Sequence, residues 1–261
     1  MKAVPPRIRG FEDGTYLLEF DELVSTQNEA RRRRQAGETR LIGVRADYQT
    51  RGRGRPGMTW YGPRGESLLI TYLVPFDTTQ TNPAGLLSMA GGLAVADAIG
   101  NLTGLEPRLR WPNDVLLPDK KVAGILTEVF PVRSDARPPL MVAALGIGLN
   151  VNIGQWPDAL GASATSLRLR TGRPWPVELI EAAVRTSLRP CLGLLAGSEP
   201  KSIVERWRTF DASIGRNYML AEGTQPEVVR AVAINDAGFL MVRTGTGRQF
   251  PVVSARHTSE S

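Results

Sequence analysis

The chain has 261 residues, 42% hydrophobic and 22% charged, with a formal net charge of +6 and a pI near 9.9. These values suit a globular protein of one large domain, or a large and a small one, and the charge favours acidic partners: nucleic acid, anionic small molecules or an acidic protein. A single cysteine, Cys191, and a single histidine, His257, exclude an intrachain disulfide and argue against a Cys-built metal cluster, a His-rich zinc site or a Ser-His-Asp triad.

In chain order, the N-terminal MKAVPPRIRGFEDG lacks the apolar core of a signal peptide, and no apolar run nears the roughly 18 residues of a membrane span. A cytoplasmic protein without membrane association is expected. TYLLEFDELV (15–24) predicts a first strand, followed by a helix over about 26–36 with Ser25 or Thr26 as N-cap. The run Arg31–Arg34 lies on that helix and reads as a solvated face. LIGVRADYQ (41–49) and ESLLITYLVPF (66–76) predict strands on either side of a basic loop, and 83–104 has the length and apolar spacing of a core helix. RLRWPNDVLLP (108–118) predicts strand, turn, strand; 121–130 and 140–153 predict two more strands; 175–196 and 202–210 predict helices. From Gly215 onward short β runs alternate with turns at Asn235–Gly238 and Thr244–Gly247. This predicts a small antiparallel barrel or sheet of about 45 residues, which needs the larger domain for support. The expected division is 1–212 and 213–261.

Three stretches carry chemistry. In GRGRPG (52–57) each arginine is flanked by glycine or proline. Glycine lets amides approach a ligand, and Arg53 and Arg55 can fork a carboxylate or phosphate. Nothing apolar anchors this loop and its charges repel, so it is expected to be mobile when empty and to close on an anion. Trp60 at its end offers a flat face for a ring. In RWPND (110–114) Pro112 stiffens a turn that presents Asn113 and Asp114, suited to a nucleotide edge or a metal beside phosphates. Lys121 opens the next stretch, KVAGIL. Lysine is scarce here: Lys2, Lys120, Lys121 and Lys201 stand against 28 arginines, so an interior lysine suggests a site needing a compact charge. Gly124, and the glycines of GIGLN (146–150), let a ligand lie against backbone.

Together these words resemble the biotin–protein ligase family, whose motifs are a serine–threonine–asparagine near the first helix, GRGRRGRxW, KWPND, KxAGIL and GxGxN. Here they stand in the same order as STQ (25–27), GRGRPGMTW, RWPND, KVAGIL and GIGLN, within a stretch from about Phe20 to the C-terminus. The resemblance implies an α+β fold: a mixed β-sheet flanked by helices, related to class II synthetase cores, with a small SH3-like β-barrel at the C-terminus. It implies ATP-dependent activation of biotin as biotinyl-5′-AMP, with Mg²⁺, and transfer to a lysine of a biotin carboxyl carrier domain. By similarity, Ser25, Thr26, Gln27 and Gln49 would hold the biotin head, with Gly54 and Gly124 beside it. Arg53, Arg55 and Lys121 would be catalytic: Arg53, Gly54 and Arg55 as the loop closing over the acyl-adenylate, and Lys121 by the biotin carboxylate and α-phosphate. Trp60, Asn113, Asp114 and Asn150 would line the ATP side with Arg55 and Lys121, and Asp114 is a candidate Mg²⁺ ligand. The chemistry needs no enzymic base, because the attacking carboxylate is already ionised; it needs positioning and cations.

This chain departs from the family at Pro56 and Met58, where arginines are usual, at Gln27, where asparagine is usual, and at Arg110, usually lysine. Pro56 and Met58 bear on intermediate retention, and Gln27 on the biotin-head contact. The family's glycine–glutamate word near the C-terminus is missing. The segment before the first strand is too short for the DNA-binding domain of repressor-type members, so no specific DNA binding is expected. Three alternatives stand beside the ligase reading: a lipoate or octanoate ligase on the same fold, a basic nucleic-acid-binding protein, and a binding protein that has lost ligase activity.

Overall fold

The computed structural model describes residues 5–76, 81–132, 140–197, 199–220 and 227–258. The chain begins with β1 (Arg7–Gly10), β2 (Tyr16–Phe20), α1 (Thr26–Gln35), β3 (Leu41–Ala46) and β4 (Ser67–Pro75). Then come α2 (Pro83–Thr103), β5 (Arg108–Arg110), β6 (Asp114–Leu117), β7 (Lys120–Pro131) and β8 (Met141–Asn150). Two short helices, α3 (Asp158–Gly161) and α4 (Leu167–Thr171), precede α5 (Val177–Ala196) and α6 (Pro200–Phe210). The last stretch holds β9 (Asn217–Leu220), β10 (Glu227–Ile234), β11 (Leu240–Arg243), β12 (Gln249–Val252) and β13 (Arg256–His257).

Strands β1 to β8 form one sheet in the order β1-β2-β3-β4-β8-β7-β6-β5. Only β2 and β3 run parallel, joined by the α1 crossover; every other neighbouring pair is antiparallel. The sheet is therefore mixed, as expected. Side chains alternate across a strand, and the sequence uses this to bury both faces. Leu17, Ala143 and Leu145 turn to the main core, shared with α2, α5 and α6, whereas Leu18, Val142 and Ala144 turn to a smaller cluster under α1.

Helix α2 is the main core helix. Pro83 at its first turn and Gly104 in the left-handed region (φ 70°) set its ends. By length and composition alone it could cross a membrane, but most of it lies buried inside the protein. Its apolar character is that of a core element.

On the α1 face, β7 and β8 place Gly124 directly opposite Gly148, with Gly146 two residues along. Missing side chains leave a hollow there, between α1 and the ends of the central strands. The hollow is the floor of the site.

The second sheet, β12-β11-β10-β9-β13, is antiparallel throughout. Both expected turns occur. Asn235 Oδ1 caps the first by accepting from Ala237 and Phe239 N–H, and Gly238 and Gly247 take positive φ. Its inward residues Tyr218, Val229, Leu240 and Val242 belong to the same apolar cluster as α2. No sequence pattern announced β1, α3 and α4, or β13, which adds the chain's tail to β9.

Candidate active site

One cavity of about 550 Å³ lies over the glycine floor, lined from α1, the 49–60 loop, the 110–114 turn, β7, β8 and the tail. That volume suits a small-molecule site. Every residue expected at the site lines it except Asn150.

At one end, Ser25 occupies the N-cap of α1 but its hydroxyl makes no capping bond. A serine there normally satisfies a helix N–H and stabilises by about 1 kcal/mol. Here Ser25 Oγ is buried with no partner. Gln27 Nε2 donates to Leu126 O at 3.0 Å and Ala144 O at 3.4 Å, and Gln27 Oε1 is buried without a partner. Gln49 Oε1 accepts from Thr26 N (2.7 Å) and Thr26 Oγ1 (3.1 Å), and Thr71 Oγ1 donates to Thr26 Oγ1 at 2.9 Å. What Gln49 offers a ligand is thus its NH₂ group. This end presents two acceptors, Ser25 Oγ and Gln27 Oε1, and one amide donor.

The basic loop is a short hairpin. Gly54 N donates to Met58 O (3.0 Å), Met58 N to Arg55 O (2.8 Å) and Trp60 N to Gly52 O (3.0 Å). Trp60 lies against the glycine floor: a Cβ on Gly124 would come within 2.9 Å of its ring, and one on Gly148 closer still. Gly124, expected to receive the ligand directly, therefore also seats Trp60. The loop was expected to lack an anchor, and the structure supplies one in this half-buried indole. Arg53 pairs with Glu128, and Arg55 Nη2 donates to Ser254 Oγ at 2.8 Å.

The RWPND turn is fixed by bonds no local pattern announces. Trp111 N donates to Ser213 Oγ (2.7 Å), Trp111 Nε1 to Gly238 O (3.1 Å), and Tyr218 Oη to Trp111 O (3.2 Å). Burial pushes the Tyr218 phenol up to about 12, so it stays a donor. The Trp111–Pro112 peptide is cis. Asn113 Nδ2 donates to Ile125 O at 2.7 Å, and Ile125 N donates to Asn113 O at 2.9 Å. Asn113 thus ties the turn to β7, leaving its side-chain carbonyl for other use.

Asp114 sits between two cations, Lys121 Nζ at 2.5 Å and Arg110 Nη2 at 2.7 Å. Burial alone would raise its pKa, but Lys121 and Arg110 outweigh burial and hold the carboxyl below its ordinary value. Lys121 Nζ also lies 5.5 Å from the Trp60 ring centre. Both Asp114 oxygens are engaged by cations, and no group of three or more His, Cys, Asp or Glu side chains suited to a metal occurs among the described residues. In this arrangement a Mg²⁺ at Asp114 would have to displace Lys121 or Arg110 from the carboxylate.

Asn150, the one expected residue outside the cavity lining, packs behind it. It is 3% exposed, and its Nδ2 donates to Thr165 O (3.0 Å) and Lys121 O (3.4 Å). At the end of β8 it falls off the glycine floor and holds the backbone behind Lys121. Conversely, sequence reasoning missed Ser254, Ala255 and His257, which line the cavity from the tail. His257 stands edge-on to Tyr218 at 5.5 Å. No local motif marked them; the β13–β9 pairing brings them there.

The Arg31–Arg34 run is locally engaged. Arg32 and Arg33 pair with Glu29, Arg33 also with Glu38, Arg34 bonds the carbonyls of Glu38 and Thr39, and Arg31 lies over Phe130. This agrees with a helix face and gives no support to a nucleic-acid surface.

Residues 18–147 match the biotin/lipoate A/B protein ligase family. The biotin–[acetyl-CoA-carboxylase] ligase of Paracoccus denitrificans is 33% identical over 79% of this chain and 85% of its own length. The bifunctional ligase/repressor BirA of Bacillus subtilis is 29% identical over 90% of this chain and 71% of its own. The structure of the Aquifex aeolicus biotin protein ligase in complex with biotin and ATP superposes with a TM-score of 0.74 at 26% identity, covering 93% of this chain and 97% of that one.

Proposed function

This chain belongs to the biotin/lipoate A/B protein ligase family, and we infer that the cavity over the glycine floor is where it joins biotin to AMP. The protein is a biotin–protein ligase: it activates biotin with ATP as biotinyl-5′-AMP and transfers the acyl group to a protein lysine. One observation carries the assignment of ends. Two buried acceptors without partners, Ser25 Oγ and Gln27 Oε1, share one end with the Gln49 amide donor. A ureido ring has two N–H groups and one carbonyl, and so complements this set. The dithiolane of lipoate and the alkyl end of octanoate have no donor to offer, and would leave both acceptors unsatisfied at a cost of about 1–3 kcal/mol each. The sister-ligase reading is disfavoured on that ground.

The valeryl chain then runs over the glycine floor towards Lys121, with the nucleotide between Trp60, the 110–114 turn and the tail. Lys121 and Arg55 meet charge developing at the α-phosphate, where a preorganised cation is worth most. Asp114, kept ionised between Arg110 and Lys121, orients Lys121. Mg²⁺ arrives as the counter-ion of ATP. The acceptor is the lysine of a biotin carboxyl carrier domain. Residues 1–212 form the catalytic unit and 213–261 a smaller unit whose tail closes the nucleotide end. This reading involves no sequence-specific DNA binding and a cytoplasmic protein.

The test is pyrophosphate release from ATP and Mg²⁺ with biotin, lipoate or octanoate supplied separately, followed by label transfer to a carrier domain. Release with biotin alone is expected. Turnover of lipoate or octanoate in preference to biotin overturns the assignment of the polar end.

A further inference from the structure

Arg53 was expected to fork a ligand anion, but its guanidinium is already committed. Nη2 lies 2.5 Å from Glu128 Oε1, Nη1 lies 2.9 Å from Glu128 Oε2, and Nη1 also donates to Asn28 Oδ1 at 2.9 Å. A bidentate carboxylate occupies the fork that a phosphate or a biotin carboxylate would need. Glu128 lies on β7, Asn28 on α1 and Arg53 on the hairpin, so these contacts tie three separate elements across the rim of the cavity.

The hairpin transmits this hold. Arg53 is bridged to Thr59 in antiparallel register, next to Trp60. Fixing Arg53 therefore fixes the strand that lays the Trp60 indole on Gly124 and Gly148, and fixes the approach of Arg55 to Ser254. Arg51, Arg53 and Arg55 lie within five residues and repel one another. Glu128 supplies the opposite charge at the middle of the three.

We propose that Arg53 and Glu128 form a clasp seating the hairpin over the site, so that Glu128 is a positioning residue for retention of the acyl-adenylate and Arg55 is the loop arginine that meets the anion. The clasp itself rests on geometry; its consequence for the adenylate rests on the ligase reading above.

The two can be tested apart. Without substrates, trypsin reads the hairpin directly through cleavage after Arg51. Glu128→Gln should raise the nicking rate about tenfold, the effect of losing one charge-assisted bidentate pair worth roughly 1.4 kcal/mol, with the thermal midpoint almost unchanged. Reversing the pair, Arg53→Glu with Glu128→Arg, should restore much of the protection lost in either single variant. With biotin and ATP, Glu128→Gln should release biotinyl-AMP into solution about tenfold faster while the first pyrophosphate burst changes by less than about threefold. Wild-type nicking in Glu128→Gln overturns the clasp, as does a double variant no better protected than the singles. An enzyme that makes no adenylate from biotin overturns the ligase reading, and the nicking result still decides the clasp.

Discussion

Replacing Lys121 by methionine keeps the aliphatic stem beside Gly124 and removes only the charge. The side chain is 32% exposed, and its Nζ is 2.5 Å from Asp114, which keeps Arg110 as a second partner at 2.7 Å. A partly exposed pair with a surviving neighbour is worth about 1 kcal/mol after screening. In a chain of this size that lowers the thermal midpoint by roughly 2–4 °C. The expected loss in the chemical step is much larger. A preorganised group meeting charge that develops only in the transition state contributes about 10²–10³ in rate, or roughly 3–4 kcal/mol. Biotin-dependent ATP–pyrophosphate exchange should therefore fall by two to three orders of magnitude, with most of the loss in kcat. The assay pairs exchange kinetics with a thermal melt. Exchange within about threefold of wild type refutes the role. So does loss of exchange together with a melt lowered by more than about 10 °C, which would make Lys121 a structural cation.

Ser25→Ala should be neutral or slightly stabilising, because the buried Ser25 hydroxyl caps nothing and has no partner, while KM for biotin rises about five- to twentyfold, the effect of one lost hydrogen bond; urea unfolding with a loss near 1 kcal/mol would show that it caps the helix after all. Gly148→Ala should drive the Trp60 ring off the floor, costing about 1–3 kcal/mol from overpacking and weakening ATP binding more than biotin binding, both measurable by calorimetry. Asp114 makes stability depend on pH in acid. Its folded-state pKa lies below the ordinary 3.8, so its contribution is full above that value and is lost as pH falls through the lower folded value. Asp114→Asn should therefore be less stable than wild type at neutral pH, with the gap shrinking below about pH 4 in urea titrations; a gap independent of pH would contradict the ion-pair account.

The order of strands and helices was readable because each has its own pattern: short continuous apolar runs in β4 and β8, apolar helical spacing in α2 and α5, and glycine-bearing turns in the last stretch. The site words were readable because GRGRPG, RWPND and KVAGIL put unusual residue types at close spacing, where local chemistry is visible. What the tertiary structure alone decided is which atoms of those residues remain available. Ser25 could have capped its helix, and only the packing of α1 against β4, β7 and β8 left its hydroxyl and the Gln27 carbonyl without partners. Asp114 became a paired carboxylate only because Arg110 and Lys121 converge on it from two strands. Arg53 faces Glu128, 75 residues away in sequence, and Ser254 and His257 reach the cavity because β13 pairs with β9. Sequence spacing encodes period and local chemistry. Partners far apart along the chain meet only where the sheet order brings them, so the commitment or availability of each polar atom is a property of the fold.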